Sequence, residues 1–148
     1  MDEKKFREII QFAIEKEIGT YTLYTMCGQI AKYSGAKELF DELAREEEGH
    51  RKLLENLSMG RVVQSKLKPV PDLMISDYLI EVGCRPDSSY ADILRLVMKN
   101  EENSVKLYNA LKDSSKDKDL KKLFAFLARE EAKHKLKFEK LYDEEILK

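Results

Sequence analysis

Apolar residues recur along this chain at spacings of three and four, the period of an α-helix, in four long runs separated by breaks. In residues 4–33 the positions Ile10, Ala13, Ile14, Tyr21, Tyr24 and Ala31 fall on one stripe, which predicts a first helix with one inward face. Ser34-Gly35 supplies a break, and a second helix is predicted over about 36–59 with Phe40, Leu43, Leu54 and Leu57 inward. Gly60, Pro69, Pro71 and Pro86 punctuate a long connection over about 60–87, with a short helix expected near 72–82. Ser88 or Ser89 can cap a third helix reaching about Lys112, and residues 114–117 make the turn into a fourth that runs to near the C-terminus.

The two halves of the pattern are copies. Shifting the chain by 84 residues superimposes, without a gap, Glu17 on Glu101, Tyr24 on Tyr108, Phe40 on Phe124 and Leu43 on Leu127. The register continues through Arg45/Arg129, Glu46/Glu130, Glu47/Glu131, His50/His134 and Leu57/Leu141. An internal duplication of this kind implies an approximate two-fold axis that turns equivalent residues toward a shared centre. Short turns inside each half make two antiparallel helical hairpins, and the long connection between them is long enough to run back along the bundle. The expected architecture is therefore all-α. It is one antiparallel four-helix bundle spanning residues 1–148, with repeat halves of about 4–59 and 88–146 joined by the crossover.

Composition narrows the class. The 148 residues include 43% hydrophobic and 37% charged positions, no tryptophan and a formal net charge of −1. Lys and Glu dominate the charged set and favour helices with charged outer faces. The near-neutral balance gives no electrostatic reason to expect nucleic acid or a membrane surface as a partner. No run approaches a membrane span and the N-terminal stretch lacks the apolar core of a signal peptide, so the cytoplasm is the expected location. The two cysteines, Cys27 and Cys84, belong to no Cys-x-x-Cys pair, which excludes a zinc ribbon or rubredoxin-type site within the chain. Each reads as a small buried residue.

Chemistry concentrates on six residues. The only histidines, His50 and His134, each follow a glutamate by three positions, giving Glu47-x-x-His50 and Glu131-x-x-His134. Residues three apart share a helix face, so carboxylate and imidazole can point at one metal. Glu17 and Glu101 each precede the paired glutamate of their own half by 30 residues, and the midpoints of those intervals lie beside the turns. Folding each hairpin brings its two glutamates to one height. Glu17 also sits inside the apolar stripe, between Ile14 and Tyr21, as Glu101 does between Met98 and Val105. Four carboxylates in a core demand counter-charge, and two divalent cations balance them with neutral imidazoles completing the set. Carboxylate oxygens with two imidazoles suit iron or manganese better than copper or a zinc-thiolate site. Glu46, Glu48 and Glu130 read as solvent-facing or ion-paired residues.

The segment from Glu17 to Tyr24 with "LAREEEGH" at 43–50, repeated from Glu101 to Tyr108 with "LAREEAKH" at 127–134, resembles the rubrerythrin branch of the ferritin-like superfamily. That resemblance implies two iron ions held by Glu17, Glu47, His50, Glu101, Glu131 and His134. Glu47 and Glu131 would bridge the metals and Glu17 and Glu101 would be terminal. Tyr24 and Tyr108 would hydrogen-bond the carboxylates and close the pocket. The implied activity is reduction of hydrogen peroxide or dioxygen. Alternatives are ferrous oxidation with iron storage, manganese catalase-like disproportionation, or a bundle that keeps metal for stability while serving as an interaction module. Typical rubrerythrins add a C-terminal rubredoxin domain, which this chain lacks, so electrons are expected from a separate donor protein such as a rubredoxin. A homodimer is the oligomer to test. Such proteins also carry a further glutamate three residues after the third-helix ligand, where this chain has Ser104 (Thr20 in the first half).

Overall fold

The computed structural model describes residues 3–30, 34–57 and 88–147. Four helices occupy them: α1 (Glu3–Ile30), α2 (Ser34–Glu55), α3 (Tyr90–Ser114) and α4 (Lys118–Glu145). The crossover at 60–87, with its expected helix near 72–82, lies outside the described residues, as do Ala31 and Cys84. Helix starts follow the capping residues. Ser89 Oγ accepts the Asp92 N–H at 3.1 Å to open α3, and the Asp117 carboxylate accepts from Asp119 and Leu120 at 2.8 and 3.1 Å to open α4. Ser34 and Gly35, expected to form the break, stand instead in the first turn of α2. A first turn tolerates them because its N–H groups have no intrahelical acceptor to lose.

Two apolar clusters hold the bundle, and the duplication relates them. One gathers Ile9, Ile10 and Ala13 of α1, Leu54 of α2, Leu107 and Leu111 of α3, and Leu120, Phe124 and Leu127 of α4. The other takes the opposite end of each helix, with Cys27, Phe40, Leu43, Ile93, Leu94, Val97 and Phe138. Tyr24, Phe40 and Phe138 pack there in tilted and edge-to-face contacts with ring centroids 5.4–5.9 Å apart. The end of α2 and the start of α3 belong to different clusters, so the connection between them joins opposite ends of the bundle. This is an antiparallel four-helix bundle of two hairpins.

The inward face of α1 is rotated from the stripe read in the sequence. Tyr21 is 38% exposed, whereas Thr20 and Tyr24 are buried. At 3.6 residues per turn Tyr24 lies about 20° to one side of Glu17 and Tyr21 about 40° to the other, so a modest rotation of the buried arc toward Thr20 exposes Tyr21. Cys27 is fully buried, and it is disulfide-bonded rather than a plain packing residue. None of the described helices is long and apolar enough to cross a membrane.

Candidate metal centre

Between the two clusters, every helix turns a carboxylate inward. α1 supplies Glu17, α2 supplies Glu47 and His50, α3 supplies Glu101, and α4 supplies Glu131 and His134. All six are buried, none more than 5% exposed. They form two groups, Glu17–Glu47–His50–Glu131 and Glu47–Glu101–Glu131–His134, each with one ligand atom per residue lying within 4.8 Å of the others. Glu47 and Glu131 belong to both groups, while Glu17 and Glu101 each belong to one.

The imidazoles reach across the duplication. His50 Nδ1 lies 2.7 Å from Glu131 Oε1 of the other hairpin, 3.7 Å from Glu47 Oε1 and 3.8 Å from Glu17 Oε2. His134 Nδ1 lies 2.8 Å from Glu47 Oε1 and 3.6 Å from Glu101 Oε1. The two rings stack 5.9 Å apart at an interplanar angle of 10°. The tyrosines exchange in the same way. Tyr24 donates its hydroxyl to Glu101 Oε1, and Tyr108 donates to Glu17 Oε1. Glu101 and Glu17 thus each have one oxygen held by a tyrosine.

Eight more polar atoms of the set are buried and have no hydrogen-bond partner outside the cluster: Glu17 Oε2, Glu101 Oε2, both oxygens of Glu47 and of Glu131, and both Nδ1 atoms. A buried polar atom without a partner is costly, and these six carboxylate oxygens and two imidazole nitrogens converging on one place fit two oxygen- and nitrogen-seeking divalent cations. Electrostatics agree. Burial, then repulsion from neighbouring carboxylates, holds Glu47 and Glu131 well above the ordinary carboxylate range. Burial also opposes ionisation of Glu101, but hydrogen bonding to its neighbours and the His134 charge outweigh it and lower its pKa. Burial keeps Tyr24 and Tyr108 protonated far above the usual phenol range, with the facing carboxylates adding to the effect.

The rubrerythrin family model matches residues 8–82 and 92–147 of this sequence. The chain belongs to the rubrerythrin family. Its fold is shared by a solved structure of a hypothetical protein from Pyrococcus furiosus, 28% identical, with a TM-score of 0.73 over 93% of this chain and 88% of that one. No curated protein shows a significant match. Family membership and the buried Glu/His cluster are together compatible with a di-iron site.

Two features of this rubrerythrin-family centre escaped the sequence reading. Lys16 Nζ bonds Asn100 Oδ1 at 2.9 Å, and Asn100 Nδ2 continues to Thr20 Oγ1 at 3.1 Å and to the Tyr24 hydroxyl at 3.4 Å. Burial lowers the Lys16 pKa, while the four glutamates pull it back up. Lys16 and Asn100 are 84 residues apart, so the duplication itself places them opposite each other across the axis. Thr20 and Ser104, at the position of the extra family glutamate, are buried hydroxyls around Asn100, whose carbonyl accepts from Ser104 at 3.2 Å. The second feature is Glu46, whose Oε2 lies 2.9 Å from His134 Nε2. Glu48 and Glu130 pair with Arg51 and Lys133.

Proposed function

We propose that this chain is a di-iron-carboxylate oxidoreductase that reduces hydrogen peroxide or dioxygen, with Glu17, Glu47, His50, Glu101, Glu131 and His134 holding the metals. The observation that carries this reading is the pair of buried four-residue groups sharing Glu47 and Glu131, whose inward atoms have no other partner. Two ferrous ions, when bound, supply one electron each, so that peroxide and two protons become two waters. An external donor protein, such as a rubredoxin, restores the electrons.

The protein's own part is to hold charge and exclude water. Glu47 and Glu131, open on both oxygens, can change how they share two ions, while Glu17 and Glu101 are anchored from behind by Tyr108 and Tyr24. The tyrosine hydroxyls keep their protons as donors to those carboxylates. The Lys16–Asn100–Tyr24–Glu101 chain of hydrogen bonds fixes the direction of the Tyr24 hydroxyl toward the Glu101 carboxylate.

The test is consumption of peroxide, and separately of dioxygen, by the iron-loaded, chemically reduced chain. The wild type should consume oxidant as its ferrous iron is oxidised. His50→Ala and Glu101→Ala, from opposite halves, should each abolish this while helical circular dichroism persists, because packed apolar faces hold the helices. A fully loaded, reduced wild type that consumes neither oxidant overturns the oxidoreductase reading.

A further inference from the structure

The duplication makes the two histidines equivalent in sequence, yet their outer ring nitrogens meet different neighbours. Glu46 and Glu130 are equivalent, each one residue before a shared metal-facing glutamate. Glu46 reaches out of its own hairpin to His134 Nε2 at 2.9 Å. Glu130 does not do the same for His50, and its Oε1 instead lies 3.4 Å from Lys133 Nζ, three residues along the same helix. The residue equivalent to Lys133 in the first half is Gly49. A lysine at that spacing competes for its glutamate, whereas a glycine leaves Glu46 to cross the bundle. The His50 ring makes a T-shaped contact with Phe126, with ring centroids 6.4 Å apart, and no carboxylate among the described residues pairs with its Nε2.

We propose that Glu46 is a positioning residue that makes the two metal positions unequal. By accepting the Nε2–H of His134 it fixes the ring so that Nδ1 faces Glu47, Glu101 and Glu131, and that position binds the tighter of two ions. Gly49 and Lys133 together encode the difference. A ligating imidazole whose other nitrogen donates to a carboxylate is held in one tautomer and orientation and is the more basic ligand. The proposal rests on the metal-centre reading above.

The test is an anaerobic calorimetric titration of the metal-free full chain with Co2+, standing in for ferrous iron. The wild type should bind in two unequal steps. Glu46→Ala should weaken the tighter step about 10–100-fold and leave the weaker one in place. Glu46→Gln should recover part of the loss, because its amide oxygen accepts the same hydrogen. Gly49→Lys adds a side chain where a new Cβ meets nothing within 4 Å, and it should weaken the same step by drawing Glu46 away. It also decides the matter if Glu46→Ala does not fold, since replacing a mid-helix glycine favours the helix. Lys133→Ala should strengthen the weaker step by releasing Glu130. Two indistinguishable steps in the wild type, or a tighter step unmoved by Glu46→Ala and Gly49→Lys, or both steps weakened equally, would overturn the positioning role while leaving the metal centre standing. A wild type that binds no cobalt overturns the metal centre and this proposal with it.

Discussion

Each metal-facing carboxylate is held by a balance between burial and the groups behind it, and removing one group should shift that balance by a readable amount. Tyr24→Phe leaves Glu101 Oε1 buried without its donor, and Tyr108→Phe does the same to Glu17. Each should destabilise the metal-free chain by about 1–3 kcal/mol in a denaturant titration, the cost of a buried polar atom left unpaired. Equal stability of the phenylalanine variants and the wild type would contradict the hydrogen bonds. Protonation gives a second expectation. Glu47 and Glu131 have pKa values well above 4.5, so the folded chain binds more protons than the unfolded one between that value and their raised values. Metal-free stability therefore falls as pH rises through that window. His134, also raised, adds to the fall above 6.5, while His50, lowered by burial, opposes it just below. Two strongly shifted carboxylates outweigh one histidine. The thermal midpoint of the metal-free chain should accordingly be higher near about pH 5 than near about pH 7, and bound metal should remove or reverse that slope. A metal-free midpoint that climbs steadily over the same range would show that the two glutamates are not buried together.

The helices were legible in the sequence because their apolar faces keep the 3.6-residue period, and the caps were legible where a side chain accepts an N–H. Asp117 shows this at the start of α4, where Asp117→Ala should cost about 0.5–2 kcal/mol. Phe138, fully buried against Tyr24 and Phe40, should cost about 3–5 kcal/mol when replaced by alanine, measured by chemical denaturation. A loss below about 1 kcal/mol would contradict its place in the core. What periodicity could not fix was the rotation of α1 about its own axis, so Tyr21 was placed inward when it is exposed. Ser34-Gly35 was misplaced for a related reason: residues that end one helix also begin another well. The reach of Glu46 to His134 was invisible because it depends on which helix faces which. Lys16 against Asn100 was within reach, since equivalent residues near a two-fold axis meet their own copies.

At the scale of the whole molecule, the duplication makes one centre out of two hairpins. Each half contributes three of the six inward residues, and neither four-residue group can be assembled from one hairpin alone. Metal bound by both groups would tie the hairpins together, and its removal should lower the cooperative thermal midpoint. That a buried Glu/His centre exists was readable from register and charge, because four glutamates at inward positions, two of them three residues before the only histidines, call for counter-charge. The partners of the individual oxygens required the folded chain. The claim that the inward atoms hold two ions is tested most directly by elemental analysis of the full chain after anaerobic loading with ferrous iron and removal of excess. The expected result is close to two irons per chain in the wild type, with a loss of bound iron in both His50→Ala and Glu101→Ala. A wild-type content that stays near zero under repeated loading, with manganese binding no better, would contradict it.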